Sequence, residues 1–271
     1  MDIVWILLAV LAVLFILYAL MVRGRSGHKG LKALRGWAYA HRGLHNETRP
    51  ENSMAAFQAA LQKGYGIELD IHLLKDGNLA VIHDASLKRT VGEDLFIEDL
   101  TTEELSKYHL EGTDQTIPTF RQVLDLFNGK APIIVELKAE RGNHAALVDT
   151  AVEQLKDYNG VYCVESFDPR CVLHLKKHHP CVIRGQLTEN FLAGKGKLPW
   201  AIKFMLTHQL GNFVTRPDFV SYKFADRKTL GNFLVRKFWG VQGVTWTVKS
   251  LEDHKTAVSE NWIPIFEGYE P

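Results

Sequence analysis

Cysteine is scarce in this sequence: Cys163, Cys171 and Cys181 are the full complement of a 271-residue chain. The set is odd, no two members share a C-x-x-C spacing and no histidine follows at zinc-finger distance, which argues against a disulfide framework and a structural zinc site. The thiols read as buried or idle. Net charge is nearly absent too, with Lys+Arg 32 against Asp+Glu 31, so no long-range field recruits nucleic acid or an acidic partner. Any attraction has to be local. No G-x-G-x-x-G opens the first predicted helix of the soluble part, which leaves a doubly wound sheet as the weaker reading of its α/β pattern. No long-period repeat or low-complexity tract appears beyond the N-terminal region.

One long apolar run is present. Ile3 to Val22, "IVWILLAVLAVLFILYALMV", is twenty residues without a charge, and at about 1.5 Å per residue it spans the roughly 30 Å hydrocarbon core of a bilayer. Trp5 and Tyr18 lie near its ends, where aromatic rings favour the interface. Only Met1 and Asp2 precede the run, and nothing like A-x-A closes it. Residues 1–22 therefore read as an uncleaved transmembrane anchor rather than a signal peptide. Arg23, Arg25, Lys29, Lys32 and Arg35 follow directly, and the positive-inside rule turns them to the cytoplasm. A single-pass membrane protein with a cytoplasmic soluble part is the expectation. Residues 23–36, basic and with four glycines, read as a juxtamembrane linker able to lie on anionic lipid.

From Trp37 onward, β-rich runs alternate with helical patterns. Expected strands are Trp37–Ala40, Gly66–Leu73, Ile133–Leu137, Val161–Glu165, Val182–Gln186, Phe219–Ser221, Gly243–Val248 and Ile263–Glu267. Ser53–Lys63, Thr119–Phe127, Ala145–Leu155, Arg170–His178 and Leu251–Ser259 read as helices, several opening on a Ser or Thr cap. Eight strand–helix units over about 230 residues point to a closed (β/α)8 TIM barrel, with residues 37–271 as its domain. The stretch 191–213, "FLAGKGKLPWAIKFMLTHQLGNF", interleaves Trp200, Ile202, Phe204, Met205, Leu206 and Leu210 with lysines. A buried barrel helix is the preferred reading, ahead of an interfacial helix beside the mouth.

In such a barrel, polar residues at strand C-termini converge on one mouth. The first strand ends at His41-Arg42, the second carries Glu68 and Asp70, the third ends with Glu136 and Lys138, and the seventh contains Trp246. Glu68 and Asp70 are two apart, so they share a face of their strand. Carboxylates so placed need something positive between them: a lysine or arginine from an adjacent strand, or a divalent cation such as Mg²⁺ or Ca²⁺ with Glu136 as a third hard ligand. A solvated pair at a strand end is the plain alternative. The Lys75-Asp76-Gly77-Asn78 turn predicts a hairpin or tight return that brings His83 back beside these carboxylates. His72, on the second strand, is expected to face the helices. Phe167 and Trp246 are candidates for an apolar wall of the mouth.

The blocks "HRG", "PENS-x3-AF-x2-A", "G-x-ELDIHLLKDG", "VIHDASLKR", "IPTF-x3-L", "IVELK", "ESFD" and "TWTVK", in that order from Ala40 to about Val248, resemble the glycerophosphodiester phosphodiesterase family. The resemblance implies a (β/α)8 barrel that hydrolyses glycerophosphodiesters to glycerol 3-phosphate and an alcohol with a divalent metal and two histidines. It implies His41 and His83 as the catalytic pair, and Glu68, Asp70 and Glu136 as metal ligands. It implies Arg42 and Lys138 as holders of phosphate oxygens, with Glu51 the acidic residue of the Pro-Glu-Asn block. The needs of the reaction agree. A phosphodiester is anionic with a poor alkoxide leaving group, so it requires charge neutralisation, a base for the nucleophile and an acid for the departing oxygen. Two departures fall at the pocket rim: Lys249 stands where the family often has Asn, and "IPIFEGYEP" lacks a Thr-Asp-Pro ending.

The favoured function is a membrane-anchored phosphodiesterase acting on glycerophosphodiesters, with lysophospholipids and glycerol-phosphate polymers within its range. A related barrel phospholipase that forms a cyclic phosphate by internal attack is one alternative, and a catalytically silent lipid-binding scaffold is the other.

Overall fold

The computed structural model describes residues 3–194, 196 and 198–271. Met1 and Asp2, at the head of the expected anchor, and Lys195 and Lys197, within 191–213, lie outside the described residues. Helix α1 (Ile3–Met21) is followed by a single turn, α2 (Leu31–Leu34), and strand β1 (Tyr39–His41). Next come α3 (Met54–Gln62), β2 (Gly66–Leu73), β3 (Leu79–Val81), α4 (Phe120–Phe127), β4 (Ile133–Leu137), α5 (His144–Lys156), β5 (Tyr162–Ser166) and α6 (Pro169–His178). The last third runs β6 (Arg184–Thr188), α7 (Trp200–Thr207), α8 (Asn212–Thr215), β7 (Phe219–Lys223), α9 (Leu230–Phe233), β8 (Gln242–Val248), α10 (Leu251–Ser259) and β9 (Trp262–Phe266).

Eight of these strands pair in parallel as β1-β2-β4-β5-β6-β7-β8-β9, and β9 pairs back onto β1. The barrel is closed, as expected. Strand β3 is extra: it returns antiparallel along the end of β2, with Ile71 opposite Val81 and Leu73 opposite Leu79, so the Lys75–Asn78 turn does form the expected hairpin. The strand period of two divides each strand between layers. On β2, Ile67, Leu69 and Ile71 face outward and pack with Phe57, Phe120, Phe127 and Val148 of the surrounding helices. Glu68 and Asp70 face the barrel axis. The axis itself is layered: Tyr39, Ile134, Cys163, Phe219, Val244 and Ile263 fill its lower half, and the polar residues lie above them. Gly185 allows this filling, because a Cβ there would come within 2.2 Å of the Phe219 ring.

The segment expected as a linker is packed against the lower end of the barrel. Arg25 binds Asp218 through both carboxylate oxygens and its N–H donates to the Pro217 carbonyl (2.8 Å). Leu31 and Leu34 join the lower core, the Tyr39 hydroxyl donates to the Leu34 carbonyl (2.9 Å), and Arg35 Nε donates to Gln242 Oε1 (2.8 Å). These contacts make residues 23–36 a strap rather than a free tether. Helix α1 is long and apolar enough to cross a membrane, and of its residues Ala19 is buried. Its C-terminal end is fixed, since Trp239 Nε1 donates to the Ala19 carbonyl (2.7 Å) and Val22 is buried among Val220, Val235 and Val241. Helix α7 departs from the buried reading: Trp200, Ile202, Phe204 and Met205 are all exposed, Trp200 by 69%.

Candidate active site

Two left-handed residues end β1. Arg42 has φ +54° and Gly43 φ +82°, and a Cβ on Gly43 would lie 2.9 Å from Ala56. The chain therefore turns sharply against α3, as only glycine permits at that position. The turn lifts Arg42 over the barrel mouth. Its backbone N–H donates to Glu68 Oε2 (3.2 Å), Nη1 donates to Glu51 Oε1 (2.9 Å), and Nε lies 3.5 Å from Asp70 Oδ2. The Pro50–Ser53 block then divides its work. Glu51 is gripped by Arg42 and by Arg89 (2.6 Å), Asn52 Nδ2 donates to Asp70 Oδ2 (2.9 Å), and Ser53 caps α3 by accepting from the Ala56 N–H (3.1 Å). Burial works to raise the Glu51 pKa, but the two arginines outweigh it and hold the carboxyl below its usual range.

Glu68, Asp70 and Glu136 present oxygens all within 4.8 Å of one another, each residue at most 6% exposed. The register explains the cluster, because Asp70 of β2 stands directly opposite Glu136 of β4. Lys138 Nζ lies 2.6 Å from Glu136 Oε1 and 3.0 Å from Asp70 Oδ1. Both oxygens lack a hydrogen-bond donor of correct direction, so their compensation is charge alone. Of the two solutions to carboxylate crowding, the lysine is thus in place. It is not sufficient: burial and the neighbouring carboxylates raise Glu68 well above its ordinary pKa, and burial lifts Glu136 to about 7 against the pull of Lys138. Buried oxygens without donors, in a set that prefers protons or cations, fit a hard divalent ion.

Each predicted histidine is held from behind. His41 Nδ1 lies 2.5 Å from Glu267 Oε2, and His83 Nδ1 lies 2.6 Å from Asp84 Oδ1. Glu267 is pulled down to about 2, first by its bond to His41. An ionised carboxylate only accepts, so Nδ1 carries the proton and Nε2 is left for the site. His41 Nε2 lies 3.9 Å from Glu68 Oε2. Burial pulls both histidines below their ordinary pKa; Glu267 opposes this at His41, as Asp70 and Asp84 do at His83.

His41, Arg42, Glu68, His83, Glu136, Lys138, Phe167 and Trp246 line one narrow cavity of about 40 Å³. Asp70 and Glu51 stand just behind it, through Lys138 and Arg42. Phe167 meets Trp246 edge-on at 5.6 Å and Phe191 at 6.0 Å, and the buried indole N–H of Trp246 has no acceptor. His72 does not face the helices. Residues 68, 70 and 72 share a face, but β2 runs past the barrel rim into the hairpin. There buried His72 binds Glu98 (Nδ1 to Oε1, 2.5 Å) and the His83 carbonyl (Nε2, 3.1 Å), bracing the second histidine's backbone.

Four contributors lie beyond the residues that the sequence pattern marks: Asp84, Asn52, Glu165 and Glu267. Asp84 is adjacent to His83 and Asn52 lies within Pro-Glu-Asn-Ser, so both carry a local signal. Glu165 extends the cluster, opposite Glu136 in register and 1% exposed, with burial raising its pKa well above the usual range. Glu267 is 226 residues from its partner, and only closure of β9 onto β1 joins them. Lys249 lies 3.6 Å from Glu267 Oε1, so both departures from the family pattern meet at this edge of the mouth.

Fold and site together define a class: a closed parallel barrel carrying two carboxylate-held imidazoles and a buried triad of carboxylates at the C-terminal mouth. The chain belongs to the glycerophosphoryl diester phosphodiesterase family, whose model matches residues 41–265. It is 32% identical over 148 residues to a glycerophosphodiester phosphodiesterase of Caldanaerobacter subterraneus, covering 52% of this chain and 58% of that protein. It is 36% identical over 132 residues to a lysophospholipase D of Rattus norvegicus, covering 44% of this chain and 40% of that one. The chain thus spans about half the length of the curated relatives it matches. Among solved structures, a phosphodiesterase of Oleispira antarctica in complex with the product sn-glycerol-3-phosphate has the same fold, with a TM-score of 0.72, 21% identity, and coverage of 89% of this chain and 95% of that one.

Proposed function

We propose that this chain is a membrane-anchored, divalent-metal-dependent hydrolase of glycerophosphodiesters, lysophospholipids among them, that releases glycerol 3-phosphate or its acylated counterpart and an alcohol. The observation that carries the reading is the convergence of His41 and His83, each held through Nδ1 by a carboxylate, on one cavity beside the Glu68–Asp70–Glu136 cluster. These three carboxylates would hold the ion, Mg²⁺ or Ca²⁺, which when bound supplies charge neutralisation for an anionic ester. Arg42 and Lys138 hold the phosphoryl oxygens, and the free Trp246 N–H offers a further donor. Neutral His41 takes the proton of the attacking hydroxyl at Nε2. That hydroxyl belongs either to water or to the substrate's own glycerol. Protonated His83 delivers the Nε2 proton to the departing alkoxide; Asp70 and Asp84 offset part of the burial that disfavours its charged form. Helix α1 spans the bilayer and the basic residues after it keep the barrel on the cytoplasmic side.

The full chain, purified in detergent and stripped of divalent ions, should release glycerol 3-phosphate from glycerophosphocholine only after Mg²⁺ or Ca²⁺ is restored, and a lysophospholipid assayed in parallel ranks soluble against lipid substrates. His41→Ala should abolish release. A folded, metal-loaded chain inactive on both substrates would move the reading to the silent scaffold. A stable cyclic phosphate product would instead favour the related phospholipase. His83→Ala should recover activity on a diester with an activated leaving group; no recovery would remove His83 from the acid role.

A further inference from the structure

A second concentration of charge lies far from the mouth, at the base of the barrel where α1 enters the fold. A cleft of about 480 Å³ is lined by Arg23, Arg25, Lys176, Arg184, Arg216 and Trp239, with no carboxylate in its wall. Buried Asp218 stands beside the cleft, and Arg25 already engages it through both oxygens. Lys176, Arg184 and Arg216 are held by carbonyls, which satisfy geometry without adding negative charge. Lys176 Nζ donates to Val214 O (2.5 Å), Arg184 Nη2 to Arg216 O (2.9 Å) and Arg216 Nη1 to Arg23 O (3.3 Å).

Arg184 is the decisive member. It is 2% exposed, its Nε donates to the Thr215 carbonyl (3.4 Å), and its buried Nη1 has no hydrogen-bond partner, Asp218 Oδ2 being 3.9 Å away. A buried guanidinium nitrogen without an acceptor is costly unless a ligand supplies one. Burial pulls both Arg184 and Lys176 below their ordinary pKa; at Arg184 the Asp218 charge opposes it and Arg25 adds to it, and Arg184 and Arg216 add to it at Lys176. Such crowding of like charges is relieved by an anion.

We propose that this cleft binds a phosphate group, and that in the membrane-bound protein the group is the headgroup phosphate of an acidic lipid. Guanidinium forks match phosphate oxygens in pairs, and lysine adds a point charge. The lipid source rests on the anchoring proposed above; the phosphate chemistry rests on the cleft alone. Arg23 lies two residues beyond the end of α1 and covers the Trp239 ring at 4.7 Å, while the Trp239 N–H binds α1 at Ala19. A tryptophan and an arginine at the end of a spanning helix lie at headgroup level. Because Arg25, Arg184 and Arg216 are tied to the lower ends of β6 and β7, a lipid held there would fix the barrel's orientation on the bilayer.

The test uses the full chain in neutral detergent micelles and reads its thermal unfolding during titration with dioctanoyl phosphatidylserine, dioctanoyl phosphatidylcholine or inorganic phosphate. Binding stabilises the folded chain by mass action, so the readout is independent of catalysis. Phosphatidylserine should stabilise saturably at concentrations where phosphatidylcholine does not. Arg216→Gln/Lys176→Gln should weaken that binding about tenfold while its ligand-free unfolding stays cooperative. Should this double variant fail to fold, Arg23→Gln, at an exposed side chain, carries the test with an expected weakening of about threefold. Phosphate binding that the variants weaken, without selective lipid binding, would support the phosphate site and assign it a soluble ligand. Equal responses to the two lipids without phosphate binding, or binding of phosphate and phosphatidylserine unchanged in the variants, would overturn the proposal.

Discussion

Glu267 ends the chain's last strand and reaches His41 across the barrel seam, and its charge does two things. It fixes the proton on Nδ1, and it raises the His41 pKa against the downward pull of burial. Glu267→Gln keeps the shape and loses the charge, so kcat/KM should fall by about 10²–10⁴-fold, the range acid–base catalysis supplies. The ionisation that activates the base should also move to lower pH. A pH profile of kcat/KM separates this from simple loss of structure, which lowers the plateau and leaves the inflection in place. Glu136 carries the opposite perturbation. Its pKa is raised to about 7 in the folded protein, against roughly 4.3 for an unperturbed glutamate. The folded state therefore holds a proton that the unfolded state has released, and stability from this group falls as pH rises between those values. Asp70, held low, contributes constantly above the ordinary aspartate range, while the lowered histidines add stability as pH rises toward 6.5. Comparison with Glu136→Gln isolates the effect: the metal-free wild type should lose stability relative to the variant from pH 5 to pH 7.5, read as the difference in urea midpoints. Added Mg²⁺ or Ca²⁺ should stabilise the wild type more at pH 7.5, because the ion competes with protons for the same carboxylates.

The strap of residues 23–36 shows how one element changes role once its packing is known. Its glycines and basic residues describe a tether, but Leu31 and Leu34 are buried at 5% and 1% exposure beneath the barrel axis. Leu34 stops the lower end as a core residue does. Leu34→Ala should therefore cost about 2–5 kcal/mol of stability, measured by chemical denaturation, whereas a free linker would lose almost nothing. Helix α7 illustrates the converse. Its apolar residues at positions 200, 202, 204 and 205 point to a barrel helix, but the fold leaves them exposed and holds the helix through its C-terminal carbonyls, Leu206 accepting from Thr188 and Thr207 from Tyr222.

At the scale of the molecule, the packing of the C-terminal end of α1 against the barrel ties the orientation of the barrel to that of α1. Of the three thiols, Cys163 and Cys171 are buried and Cys181 is exposed, so one natural reporter of sidedness exists. A membrane-impermeant maleimide should leave Cys181 unlabelled in intact cells and label it after permeabilisation. Labelling in intact cells would place the barrel outside.

The strand-end residues His41, Arg42, Glu68, Glu136 and Lys138 were legible in the sequence because a parallel barrel gathers strand C-termini at one mouth, and period-two alternation tells which side chains point inward. Strand ends were less legible: β1 and β6 begin two residues later than expected, at Tyr39 and Arg184. The sequence by itself determined the alternation, the hairpin after β2, the apolar helix and the carboxylates that need a cation. Only the tertiary structure decided that Glu267 holds His41, that residues 23–36 pack against the lower end of the barrel, and that Arg184 Nη1 is buried without an acceptor. The reason is distance along the chain. Periodicity, capping and turn chemistry act over a few residues, whereas these contacts join residues tens to hundreds apart, and barrel closure brings them together.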